Sequence, residues 1–141
     1  MTPRRTHRCR SGAAILEMAI TLMVLLSLSF GTVEFGYFFF LKNSVQAAAR
    51  EGARAGILPG GTNTHVTTAV NQTLTSAGLN SANYTVTVKV NGVVANASTA
   101  SVGQPVEVSV TATWGTVGMR PLGLISSSKT VLGAANMRRE G

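Results

Sequence analysis

The stretch Gly12-Ala-Ala-Ile-Leu-Glu17-Met-Ala-Ile-Thr-Leu-Met-Val-Leu-Leu-Ser-Leu-Ser-Phe-Gly31-Thr-Val-Glu34-Phe-Gly36-Tyr-Phe-Phe-Phe-Leu41 decides the fold. From Met18 to Leu41 it carries one charged residue, Glu34, and is otherwise apolar, small or hydroxylated. As a helix that run would extend about 36 Å, against roughly 30 Å for a bilayer core. It is long enough to span a membrane with some tilt. Phe35, Tyr37, Phe38, Phe39 and Phe40 gather at its far end, where an interfacial aromatic belt would sit.

Helical periodicity continues beyond the apolar run. Lys42, Gln46, Arg50 and Arg54 recur every four residues on one slowly drifting face. Another face is small: Val45, Ala48, Ala49, Gly52, Ala53 and Gly56. One helix is therefore predicted over 13–57, with a membrane-spanning part at about 18–41, stopped by Pro59-Gly60-Gly61. The small stripe suits close packing against another helix or against the chain's own C-terminal sheet.

Outward from the helix, residues 58–62 form a linker and 63–141 a small domain. Val66, Ala69, Val70, Leu74 and Ala77 predict a short amphipathic helix over 63–77, with Gly78 as its stop. Tyr84 to Val90 alternates with period two, Asn91-Gly92 is a hairpin turn, and Val93 to Ala97 can return as a strand. Val106 to Trp114 alternates again after Pro105, and Lys129 to Met137 predicts a last strand beyond a stretch rich in Gly and Ser. The expected class is α+β: a long, partly transmembrane N-terminal helix, a short helix and a small antiparallel sheet. No internal repeat is present.

Charge narrows the function. Twelve Lys and Arg against five Glu give a net charge of +7 in 141 residues. Such basicity first suggests nucleic acid or an anionic surface. Four of those charges, Arg4, Arg5, Arg8 and Arg10, lie in the first ten residues, and the others are scattered. No continuous phosphate-tracking face results, so no nucleic-acid partner is expected. One Cys and two His exclude an internal disulfide framework and a Cys/His zinc cluster. No carboxylate pair, activated nucleophile or phosphate loop stands out, so no enzyme activity, cofactor, metal or small-molecule substrate is expected. The three N-x-S/T sequons at Asn71, Asn83 and Asn96 arise readily by chance in a Thr- and Asn-rich chain.

The basic head before the apolar run has several readings. A cleaved signal peptide would have an apolar region of about 7–15 residues, shorter than this one. A lipoprotein would need Cys9 after the run instead of before it, and Arg4-Arg5 lacks the longer twin-arginine pattern. The remaining reading is a signal anchor with a cytoplasmic N-terminus, supported by a slight positive-inside bias. A plain anchor leaves Glu17 unexplained, because a carboxylate near an apolar span is costly unless paired. If the chain were cut after Gly12, the new α-amine of Ala13 would lie one helical turn from Glu17. The carboxylate could meet that amine, or the amine of a neighbouring subunit. Glu34 could pair with a basic group on another helix or lie at the outer headgroups beside the aromatic belt, the latter being preferred.

A basic leader, Gly at the cut and Glu at the fifth mature position resemble the processing site of type IV pilins and pseudopilins. The strings Gly12-Ala-Ala-Ile-Leu-Glu17-Met, Val33-Glu34-Phe35-Gly36 and Ala48-Ala49-Arg50-Glu51-Gly52-Ala53-Arg54 are similar to the TadE-like family. Ala134 to Glu140 weakly resembles that family's closing strand. Met18 departs from the family's usual aromatic residue at that position. The resemblance implies a minor pilin or pseudopilin of the tight-adherence (Tad/Flp) system, with residues 1–12 as a prepilin leader cut between Gly12 and Ala13. It implies a prepilin peptidase, other pilins, and an assembly ATPase with its platform proteins as partners. Glu17 would serve assembly, and Glu34, Gly36, Ala49, Arg50, Gly52, Ala53 and Arg54 helix packing. The implied location is single-pass in a bacterial inner membrane, with the C-terminal domain outside. The alternative is a membrane-anchored extracytoplasmic binding module that is never processed as a pilin.

Overall fold

The computed structural model describes residues 10–140, with side chains from Gly12. Most of the expected leader, including Arg4, Arg5, Arg8 and Cys9, lies outside the described residues. Helix α1 runs unbroken from Arg10 to Ile57, three residues earlier than its expected start and straight through Gly31 and Gly36. Its 48 residues make a rod of about 72 Å. Helix α2 follows at Asn63–Ser76, its N-cap Thr62 accepting the His65 amide. The strands are β1 Tyr84–Val90, β2 Val93–Val94, β3 Pro105–Thr113 and β4 Thr130–Arg138, in the antiparallel order β2-β1-β3-β4. The class is α+β, as the pattern predicts.

Alternation decides which face of the sheet is covered. Val106, Val108, Val110 and Ala112 of β3 are buried, and across β4 they pair with Met137, Ala135, Gly133 and Val131. This face packs on the upper part of α1 and on Val66, Val70 and Leu74 of α2. Gly133 marks the closest approach: a Cβ there would lie 2.5 Å from the Val45 carbonyl oxygen. A glycine inside a strand often signals such an approach. Beside it, Gln46 closes the free edge of β4, its Nε2 donating to the Ala134 carbonyl at 2.8 Å and its Oε1 accepting the Ala134 amide at 3.3 Å.

Two expectations need correction. The returning strand ends at Val94 instead of Ala97. Asn96 leaves the ladder because its Oδ1 accepts the Ser98 and Asn63 amides, while Asn63 Oδ1 accepts the Ala97 amide. This exchange ties the start of α2 to the end of the hairpin. The aromatic cluster, expected as a membrane belt, is divided. Tyr37 and Phe38 turn inward, with ring centroids 6.0 and 5.2 Å from buried Trp114, while Phe35, Phe39 and Phe40 stay exposed. Trp114 opens a one-turn helix, α3 (Trp114–Val117), and fills the lower end of the core.

Candidate functional site: two carboxylates on one helix

Helix α1 has two environments. From Gly12 to Phe30 every side chain is exposed, a stretch of about 28 Å. From Gly31 upward one face is buried, beginning with Gly31, Glu34, Leu41 and Val45. The unpacked stretch thus matches a bilayer core closely in length.

Polar side chains in the unpacked part and at its upper margin are satisfied locally. Thr21, Ser27, Ser29 and Thr32 each donate to the carbonyl four residues earlier, at 2.8–2.9 Å. Such back-bonding removes the cost of a hydroxyl in a medium without water. Among the described residues, Glu17 is the one polar side chain of this half without a hydrogen-bond partner in the chain. It shares a shallow apolar face with Ala14, Met18, Thr21 and Leu25. The Gly12–Ala13 bond lies in the first turns of α1, where the leading N–H groups lack intrahelical partners and unwinding is cheap.

Glu34 is the opposite case. It is fully buried, and its carboxylate accepts the Ile125 amide at 2.8 Å and the Leu122 amide at 3.2 Å. The amides of Gly123 and Leu124 also turn toward it. Gly123 has φ +65°, the left-handed conformation that lets successive N–H groups converge on one anion. Glu34 therefore neither lies at solvated headgroups nor waits for a cation on another helix, the two positions considered from sequence. It holds the Gly- and Ser-rich segment between α3 and β4 against α1. The pattern of the sequence assigns this segment no element, although Met119, Leu122 and Leu124 are unusual apolar residues for a loop. Those three, with the Glu34 nest, are the missed feature.

The remaining family-motif residues divide by face. Ala49, Gly52 and Ala53 are buried against the chain's own domain; a Cβ on Gly52 would lie 2.7 Å from a Val70 methyl. The small stripe is thus used inside the chain. Arg50 and Arg54 are exposed, and a Cβ on Gly36 would meet nothing within 4 Å. At the far end, the Glu140 amide donates to the Ile57 carbonyl at 3.1 Å and Arg139 Nη1 to the Ala97 carbonyl at 2.7 Å, closing the sheet on the helix terminus. Burial raises the Tyr84 phenol above its ordinary value, and its O–H donates to Asn71 Oδ1 at 2.8 Å. Among the described residues no group of three or more His, Cys, Asp or Glu is placed to hold a metal ion.

Comparison with known families meets this geometry at its decisive end. Residues 12–54 match the family of TadE-like proteins. The N-terminal helix is TadE-like. The matched span begins at Gly12 and covers Glu17 and Glu34, the unpacked half of α1 and the stripe Ala49, Gly52 and Ala53. No curated protein and no solved structure matches the chain. TadE-like proteins are pilus components, and the apolar half of α1 is compatible with a single-pass anchor. Together they point to a membrane-anchored protein associated with a Tad-type pilus.

Proposed function

We propose that the chain is a minor pilin or pseudopilin of a Tad/Flp-type apparatus, made as a prepilin, cut after Gly12 and catalysing nothing itself. The observation that carries this reading is the contrast inside the matched segment. Every described hydroxyl of the unpacked half is satisfied locally, while Glu17 has no hydrogen-bond partner among the described residues. An ionised carboxylate in an apolar medium requires a counter-charge. The α-amine released at Ala13, on the same helix or on a neighbouring pilin, supplies one of the right sign at one-turn spacing.

In this reading the leader arginines hold the N-terminus on the cytoplasmic side for a membrane prepilin peptidase. Removing them takes Lys plus Arg from 12 to 8 and the net charge from +7 to +3. The lower half of α1 stays in the inner membrane, its domain outside, until an assembly ATPase and platform protein draw the chain toward other pilins. Arg50 and Arg54, exposed above the membrane, are available to those neighbours. Glu17→Ala tests the pairing role. The variant should fractionate with membranes like the parent while its amount in sheared pilus fractions falls; undiminished incorporation would contradict pairing.

A further inference from the structure

We propose that the loop between α3 and β4 is a second membrane contact, a foot set into the outer leaflet beside α1, with Met119, Leu122 and Leu124 facing lipid. This rests on the membrane-anchored reading of α1 and adds a fixed depth and orientation to it. The three side chains are 55 %, 41 % and 57 % exposed, in a loop that lies over the helix. Leu124 packs over Gly31, its Cδ1 being 3.6 Å from the position a Cβ would take there. Together with Leu28, Thr32 and Phe35 it lines an apolar groove that runs on into the unpacked surface of α1. The exposed apolar surface of the loop is therefore continuous with that of the span.

Depth follows from the helix. With Gly12 at the inner boundary of the hydrocarbon, Gly31 lies about 28 Å higher, near the outer boundary. Irregular backbone is tolerated at that level only if its polar groups are satisfied by protein. Glu34 does this for part of the loop's donors, gathering the amides of Leu122 and Ile125 in its buried carboxylate. Pro121 has no amide to satisfy. Arg120, exposed between Met119 and Pro121, has the length to reach lipid phosphates while its stem stays apolar. The occupant is phospholipid, because Leu124 joins the loop to the apolar surface of the span and exposed Arg120 offers the same loop a cation for phosphate.

Spin labelling of the full chain tests the proposal, with one copy per nanodisc of phosphatidylethanolamine and phosphatidylglycerol. On a Cys9→Ser background, labels are placed at Leu122→Cys and Met119→Cys, at Leu25→Cys in the span, and at Val94→Cys. Val94 follows Val90, whose partner Val106 packs by Gly56 near the far end of α1. The ratio of oxygen to water-soluble nickel accessibility should be several-fold higher at 119 and 122 than at 94, approaching that at 25. A high ratio at 25 with an aqueous ratio at 119 and 122 would overturn the foot and leave the anchor standing. An aqueous ratio at 25 would overturn the anchor and the foot together. Exclusion of both reagents at 119 and 122 would mean that protein covers the loop, and would also overturn it. Unchanged Trp114 emission in each variant certifies the fold.

Discussion

Below Gly31, α1 buries nothing, and its hydroxyls turn back onto their own backbone; above it, the same helix is the spine of a four-stranded sheet. Each half holds a carboxylate beside apolar surface, Glu17 below and buried Glu34 above. Glu34 receives its hydrogen bonds from residues 88 and 91 positions away in the same chain, whereas Glu17 receives none from the described residues. The difference shows that one charge near an apolar segment completes the fold, while the other stands without a hydrogen bond among the described residues. Hydrogen-bond satisfaction, and not hydropathy, tells the two apart.

Substitutions that touch the packed half should show the largest effects on folding. Gly133→Val forces a side chain into the Val45 carbonyl, and backbone cannot step aside as a side-chain tip can. It should lower stability by about 3 kcal/mol or more, measured as the midpoint of Trp114 emission on thermal unfolding of the full chain in detergent. A loss under about 1 kcal/mol would mean that the sheet does not sit this close to α1. Glu34→Gln keeps the shape but turns an amide donor toward backbone donors. A loss of about 2 kcal/mol is expected, with faster hydrogen exchange at the amides of 122 and 125. Unchanged exchange there would break the assignment of Glu34 to the loop. Smallest is Leu25→Ala in the unpacked half, which should move the same midpoint by less than about 0.5 kcal/mol. A larger shift would show that the two halves are not separate in energy.

Much of this arrangement is legible in the residues themselves. Tyr84 to Val90 and Val106 to Thr113 alternate strictly, Asn91-Gly92 takes the paired positive φ of a hairpin turn, and the period-four rows of α1 persist to Ile57. The pattern overextends where a distant partner intervenes: Val93 to Ala97 suits a strand, but Asn96 is engaged by Asn63, 33 positions away. Glu34 was illegible for the same kind of reason. Its donors are backbone amides, which every residue of a loop carries and no side-chain pattern marks. The small stripe fits a neighbouring helix and the chain's own sheet equally well by composition. Gly133, a glycine opposite that stripe inside an otherwise regular strand, was the available hint. Gly12 and Glu17 are related by a spacing along one helix, and the structure places both on the exposed, unpacked half of α1.

In the proposed function the unpacked half of α1 belongs to a processed prepilin, with Glu17 answering a new amine at Ala13. Intact-mass measurement of the chain extracted from membranes of a host with an active prepilin peptidase tests it most directly. A mature chain beginning at Ala13 is expected, and one retaining residues 1–12 when the peptidase is removed. A chain still beginning at Met1 in the competent host would contradict it.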